Sequence, residues 1–280
     1  MKYKLLAIDM DGTFLDGEHK PTKKNYYAVK KAAQLGMKVV ICSGRIPAAI
    51  KALVDYMPEN QPIIAGNGSI ILNSNHEEIY KESIDYNTVT NIISMFRKDY
   101  DNVYYQIMDA DVVYAESIGK TVTDFLLKLN LSLPRKHRME FRLIPDLLTY
   151  IRNNGIKASK IEIYEENISK LNKIRSDLKN LANVEVVNSG EYSLEIIKKG
   201  LSKGNALEVL AKYYGYSLDE CIAIGNDEND IEMISKAGLG IAVKNAKDKV
   251  KKIADYITEK DNENSAVAEV VEKFIIEKEI

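Results

Sequence analysis

Cysteine is scarce in this chain: 280 residues carry two, Cys42 and Cys221. Both fall in apolar, strand-like runs. Core packing is their expected role, and neither a disulfide framework nor a cysteine metal site organises the fold. Histidine is as thin. His19, His76 and His137 show no spacing that suggests a metal site or a catalytic triad, and surface positions are expected for them. No apolar stretch is long enough to span a bilayer. The chain opens directly on a strand-like pattern, without the charged and apolar regions of a signal peptide, so a cytoplasmic location is expected. Basic excess is absent too: 39 Lys and Arg stand against 41 Asp and Glu, a net charge of -2. Neither nucleic acid nor a membrane is expected as a partner. No internal repeat and no Pro-, Gly- or Ser-rich linker divides the chain, and oligomeric state is left open.

What is present is an apolar content of 45%, enough for a sizeable core. "YKLLAID", Tyr3 to Asp9, is a nearly continuous apolar run that suits a strand buried on both faces. A helix capped by Thr22 and ended by Gly36 follows, then a second buried strand, "KVVICSG", and a third, "PIIAGNG". This strand–helix rhythm returns near the C-terminus with "ECIAIGND", "DIEMISKAG" and "LGIAV". It predicts an α/β fold with a Rossmann-like, doubly wound, mostly parallel sheet. The middle differs. "NVYYQI" and "VVYAE" read as a hairpin, and "KIEIY" and "VEVVN" as strands around a helix from Asn167 to Leu181. Residues 83–188 are therefore read as an inserted α+β module, with 1–82 and 189–280 forming the core. The basic stretch Arg135 to Arg142 is expected to be solvated surface of that module.

Four polar clusters fall at strand or helix ends. Asp9-Met10-Asp11-Gly12-Thr13 ends the first strand, and Ser43-Gly44-Arg45 ends the second. Ser202-Lys203-Gly204 opens a helix, and Gly225 to Asp230, "GNDEND", follows "ECIAI". Open α/β sheets bind ligands beyond the carboxyl ends of their strands. Two close carboxylates repel each other and resist burial unless something completes them. A carboxylate can attack phosphorus and form an aspartyl phosphate, while a second one moves protons. A hard dication such as Mg²⁺ and a phosphate would offset the repulsion, with hydroxyl, backbone N–H and lysine groups holding phosphate oxygens.

"DMDGT", "SGR", "SKGNAL" and "GNDENDIEMISKAGLGIAVKNA" resemble, in order and spacing, the four motifs of the haloacid dehalogenase superfamily of phosphohydrolases. The closest pattern is its Cof-type branch, which carries an α/β cap between the second and third motifs. The resemblance implies a Mg²⁺-dependent phosphatase acting on small phosphorylated metabolites, sugar phosphates foremost, with the cap choosing the substrate. Asp9 would be the nucleophile and a metal ligand. Asp11 would be the general acid/base, its backbone carbonyl on the metal. Met10, Gly12, Ser43, Gly44, Arg45, Lys203 and Asn229 become the phosphate- or substrate-binding candidates, and Asp230 would support the metal shell. The last motif departs from the usual Gly-Asp-x-x-Asn-Asp: Asn226 stands where the first Asp is expected, and Asp227 follows. Either residue would supply the ligand.

Other readings compete with each cluster. Asp-x-Asp-Gly suits a surface turn, Ser43-Gly44 a helix cap, and "GNDEND" a solvated acidic loop. Four such accidents at element ends make a weaker account than one shared site. "GNGS", Gly66 to Ser69, lacks the context of a dinucleotide loop and reads as a turn beside the site, with Asn67 a phosphate or substrate neighbour. A phosphomutase would share the aspartyl phosphate, and a phospho-ligand-binding regulatory protein would keep the fold without the chemistry.

Overall fold

Leu5–Ile8 (β1) is four apolar residues, all buried, as a strand covered on both faces requires. It pairs in parallel with Lys38–Cys42 (β2) on one side. The chain then adds Ile63–Ala65 (β3), Ile70–Leu72 (β4) and Glu78–Lys81 (β5) outward from β2. On the other side of β1 lie Cys221–Gly225 (β12), Leu239–Ala242 (β13) and Tyr256–Ile257 (β14). The order is β14-β13-β12-β1-β2-β3-β4-β5, parallel from β14 to β3, with β4 antiparallel to β3. Chain direction across the sheet therefore reverses at β1, the topological switch point where such sheets open a crevice. The structure is a computed structural model. It describes residues 2–51, 53–118, 127, 128, 130, 131, 135, 138–188 and 191–277, so His137, and part of the basic stretch before Arg142, lie outside the described residues.

Helices clamp this sheet. Thr22 caps Lys23–Gln34 by accepting the Asn25 N–H, and that helix packs on Ala266–Val271. Asn25 is fully buried and joins three segments. Its Nδ2 donates to the Phe14 carbonyl at 3.1 Å, and its Oδ1 accepts the Ala268 N–H at 2.9 Å. The loop that follows β1 is thereby pinned to the helices beneath it. Both cysteines are buried and unbridged, as expected.

The chain forms two compact units. The first holds Met1–Gly44, Leu53–Tyr80 and Ser202–Ile280; the second holds Arg45–Ala52 and Lys81–Leu201. The second unit has its own sheet. Its strands are Tyr104–Asp109 (β6), Val112–Ala115 (β7), Glu140–Leu143 (β8), Lys160–Tyr164 (β9), Val184–Asn188 (β10) and Ser193–Lys198 (β11). They run in the order β10-β11-β9-β6-β7-β8, antiparallel except for the β7–β8 pair. Strand alternation sorts its faces. Ile107, Ile161, Ile163, Leu194 and Ile196 join a core with the helices Tyr86–Asp99, Leu147–Asn154 and Ile168–Lys179. Gln106, Glu162 and Glu195, cross-strand neighbours, share the opposite face with Lys160. There Lys160 pairs with Glu195, and Gln106 Nε2 donates to Glu162 Oε2 at 2.7 Å.

Two boundaries differ from the sequence reading. The sequence pattern places residues from 189 onward in the core, yet β11 lies between β10 and β9 in the second sheet. Only long-range pairing with β9 and β10 decides its place. Arg45–Ala52 follows a core motif directly but groups with the second unit. Ile46, Ala48 and Ala49 bury themselves against Met108, Val113 and Met139 there.

Candidate active site

Asp9 is the residue after β1. Its N–H donates to the Ile224 carbonyl at 3.0 Å, continuing the ladder to β12 and fixing the carboxylate at the switch point. Only 6% of the residue is exposed. Lys203 reaches it from the helix Lys203–Tyr213, which Ser202 caps by accepting the Asn205 N–H at 3.0 Å. Gly204 lets that helix close on Ile231–Lys236: a Cβ there would stand 2.7 Å from the Glu232 carbonyl carbon. The close approach sinks Lys203 completely. Its Nζ donates to Asp9 Oδ1 and to Asp230 Oδ1, both at 2.6 Å.

One buried ammonium thus bridges two buried carboxylates. Burial and the neighbouring Asp230 charge push Asp9 up to about 7, against the pull of Lys203. For Lys203, burial acts against the ammonium, but the Asp230 and Asp9 charges outweigh it and hold its pKa above the ordinary value. Asp230 also closes its own loop, because Oδ2 accepts the N–H groups of Asn226 (2.8 Å) and Asp227 (3.0 Å). Asp9 Oδ2, by contrast, is buried and accepts no hydrogen bond.

The other sequence candidates divide. Ser43 is buried; its N–H donates to the Ile64 carbonyl and its carbonyl accepts the Asn67 N–H. Asn229 Nδ2 donates to Asn67 Oδ1 at 3.0 Å, so the "GNGS" turn does touch the last motif. The Met10 carbonyl accepts the Phe14 and Leu15 N–H groups, and the Gly12 carbonyl accepts Asn245 Nδ2 at 2.8 Å. Gly44 is half-buried, and Arg45, the next residue, is grouped with the second unit. Asn226 and Asp227 turn to different neighbours. Asn226 Oδ1 accepts from Thr13 Oγ1 of the first motif at 3.3 Å. Asp227 pairs with Lys247 at 2.6 Å and caps the following turn through the Glu228 N–H.

Two contacts were not anticipated. Asp11 is exposed, and His19 Nδ1 lies 3.2 Å from its Oδ1. Asp16 folds the chain back to make that approach, accepting the Glu18 and Lys20 N–H groups on one oxygen. An Asp followed by Gly is the signal for such a turn, but not for where its histidine lands. Lys247 is likewise remote in sequence from the carboxylate it pairs. Among the described residues, no three His, Cys, Asp or Glu side chains gather as a ready-made metal cluster. A cation here would rely on few carboxylates with carbonyl oxygens and water, a donor set that suits Mg²⁺. The unpartnered oxygen of Asp9 fits that requirement.

Fold and site define an α/β protein with a buried lysine bridging two carboxylates at a sheet switch point. The family model for haloacid dehalogenase-like hydrolases matches residues 6–271, and the chain belongs to that family. It is 28% identical over 275 residues to the 5-amino-6-(5-phospho-D-ribitylamino)uracil phosphatase YwtE of Bacillus subtilis, covering 93% of this chain and 94% of that one. Phosphatase YwpJ of the same organism is 28% identical over 279 residues, covering 93% and 96%. Among solved structures, a haloacid dehalogenase-like hydrolase from B. subtilis superimposes with a TM-score of 0.85 at 25% identity, covering 97% of this chain and 100% of that one. Another, from Bacteroides thetaiotaomicron, gives 0.81 at 29% identity, covering 98% and 100%.

Proposed function

We propose that this chain is a Mg²⁺-dependent phosphatase that hydrolyses small phosphate esters through an aspartyl phosphate on Asp9. The observation that carries the reading is the buried Asp9, held by Lys203 through one oxygen and left without a hydrogen bond on the other. A carboxylate fixed but not saturated is suited to attack. Asp9 displaces the ester oxygen at phosphorus, and Asp11 protonates that oxygen as it leaves. Asp11 then takes a proton from the water that attacks the aspartyl phosphate, and Asp9 returns as a carboxylate. The exposure of Asp11 supports this role, since it must exchange protons with solvent and leaving group. Ser43, Lys203 and Asn229 hold the phosphoryl group, with Lys203 supplying fixed positive charge. Met10, Gly12 and Gly44 offer backbone groups to it, and Arg45 serves the substrate.

Asp9, the Asp11 carbonyl and Asn226 would hold Mg²⁺, and Asp230 supports that shell by fixing the 226–227 loop and Lys203. When bound, the ion offsets repulsion between the carboxylate and the incoming phosphate. Asp227 is assigned to Lys247 and the loop rather than to the metal. Substrate choice belongs to the inserted unit, and the class is sugar and sugar-alcohol phosphates. The ribityl phosphate in the YwtE name belongs to the same class. The test is a panel of phosphorylated metabolites assayed for inorganic phosphate, with and without Mg²⁺. Release confined to Mg²⁺ and strongest for polyhydroxylated esters is expected. No release from any ester contradicts the proposal, and an isomerised ester in place of free phosphate makes the protein a mutase.

A further inference from the structure

The turn Gly66–Gly68 joins β3 to β4 in the first unit and is buried throughout. Asn67 at its centre is 1% exposed and sits at φ 55, a left-handed conformation that Asn tolerates better than most side chains. Three links leave this turn. The Asn67 N–H donates to the Ser43 carbonyl at 3.1 Å. Asn67 Oδ1 accepts from Asn229 Nδ2 at 3.0 Å. Gly68 lies against the start of the helix that carries Lys203: a Cβ at 68 would stand 2.4 Å from the Ser202 carbonyl oxygen. The segments bearing Ser43, Lys203 and Asn229, far apart in sequence, therefore meet on one three-residue turn.

We infer that Asn67 is a positioning residue, which fixes the direction of the Asn229 amide for phosphate recognition. A carboxamide has an oxygen end and a nitrogen end of nearly equal shape, so its packing alone does not choose between them. An acceptor facing it does. With Asn67 Oδ1 taking one N–H, Asn229 keeps its nitrogen on that side and has its second N–H and its oxygen for other partners. The Asn67 backbone meanwhile holds Ser43, so one residue sets the spacing between two phosphate-binding candidates. Buried polar networks of this kind tolerate little slack. The consequence for turnover rests on the phosphatase reading above; the orientation of Asn229 does not.

Asn67→Gly is the informative substitution, because glycine keeps the positive φ and removes only the carboxamide. With p-nitrophenyl phosphate and the intact chain, KM should rise roughly three- to tenfold, the worth of one hydrogen bond, with kcat less affected. The thermal midpoint should fall by a few degrees, since the Asn229 N–H loses its buried acceptor. Asn67→Asp retains an acceptor oxygen and should keep the Asn229 amide in place. Adding Asn67→Gly to Asn229→Ala should have no further effect on KM, since Asn67 acts through Asn229. Side-chain amide NMR signals of Asn229, assigned by their loss in Asn229→Ala, should shift in Asn67→Gly and stay near wild type in Asn67→Asp. Additive effects in the double variant, or Asn229 signals unchanged in Asn67→Gly, overturn the inference. If wild-type protein hydrolyses no ester, the phosphatase reading fails, and the NMR result alone still decides the positioning claim.

Discussion

Replacing Lys203 with methionine removes the one buried cation at the centre of the site while nearly preserving length. Asp9 and Asp230 each lose a 2.6 Å charge-assisted bond, and neither has solvent to replace it. Removing one partner from a buried ion pair typically costs about 3–5 kcal/mol, because the remaining charge stays desolvated. Here two carboxylates are left facing each other, which places Lys203→Met at the upper end of that range. Asp9 can respond by binding a proton, so the loss must depend on pH. It stands at about 7 with Lys203 beside it and is pushed higher without it, so the cost grows as the pH rises past 7. Toward pH 5 protonation of Asp9 relieves the repulsion and the loss shrinks. Urea unfolding of wild type and variant at pH 8 and pH 5, without added metal, measures this directly. A loss under about 1 kcal/mol at pH 8, or a larger loss at pH 5 than at pH 8, would refute the reasoning. Adding Asp230→Asn to Lys203→Met should recover part of the stability, since it removes one of the two opposed charges.

Asn226→Asp should lower the half-saturating Mg²⁺ concentration, because a carboxylate attracts a hard dication more than an amide carbonyl does; Asp227→Asn should leave it nearly unchanged, and the reverse pattern assigns the ligand to Asp227. Asp11→Asn should slow turnover by ~10²–10⁴ with Mg²⁺ affinity retained, checked by steady-state rates and calorimetry. Mg²⁺ binding should release a proton near pH 6 and almost none by pH 8, because Asp9 is raised to about 7 in the metal-free protein and binding requires the carboxylate. The same shift makes the Asp9 contribution to metal-free stability fall as pH rises from about 4 to 7, since the folded form binds the extra proton. Calorimetry in buffers of different ionisation enthalpy measures the release, and no released proton at pH 6 contradicts the assignment.

The parts of this molecule legible in the sequence share a physical origin. β1, β2 and β12 are buried on both faces, so their apolar runs are nearly continuous and end abruptly at Asp9, Ser43 and Asn226. Polar residues at those ends announce the carboxyl edge of the sheet. Residues decided by long-range pairing were not legible. Nothing within β11 names its partner strands, and its place follows only from pairing with β9 and β10. The neighbours of Asn226 and Asp227, Thr13 and Lys247, lie away from them in sequence and were likewise not legible. His19 is exposed, as its lack of a partner pattern predicts; its approach to Asp11 depends on how Asp16 folds the intervening turn.

Covalent participation of Asp9 is the central claim, and borohydride reduction tests it. Protein mixed with a hydrolysable phosphate ester and Mg²⁺ is quenched in acid during turnover, reduced with sodium borohydride, digested and read by mass spectrometry. An acyl phosphate on Asp9 is reduced to homoserine at position 9, and the account predicts that product in wild type and its absence in Asp9→Asn. Homoserine at another aspartate, or steady phosphate release by Asp9→Asn, would contradict it.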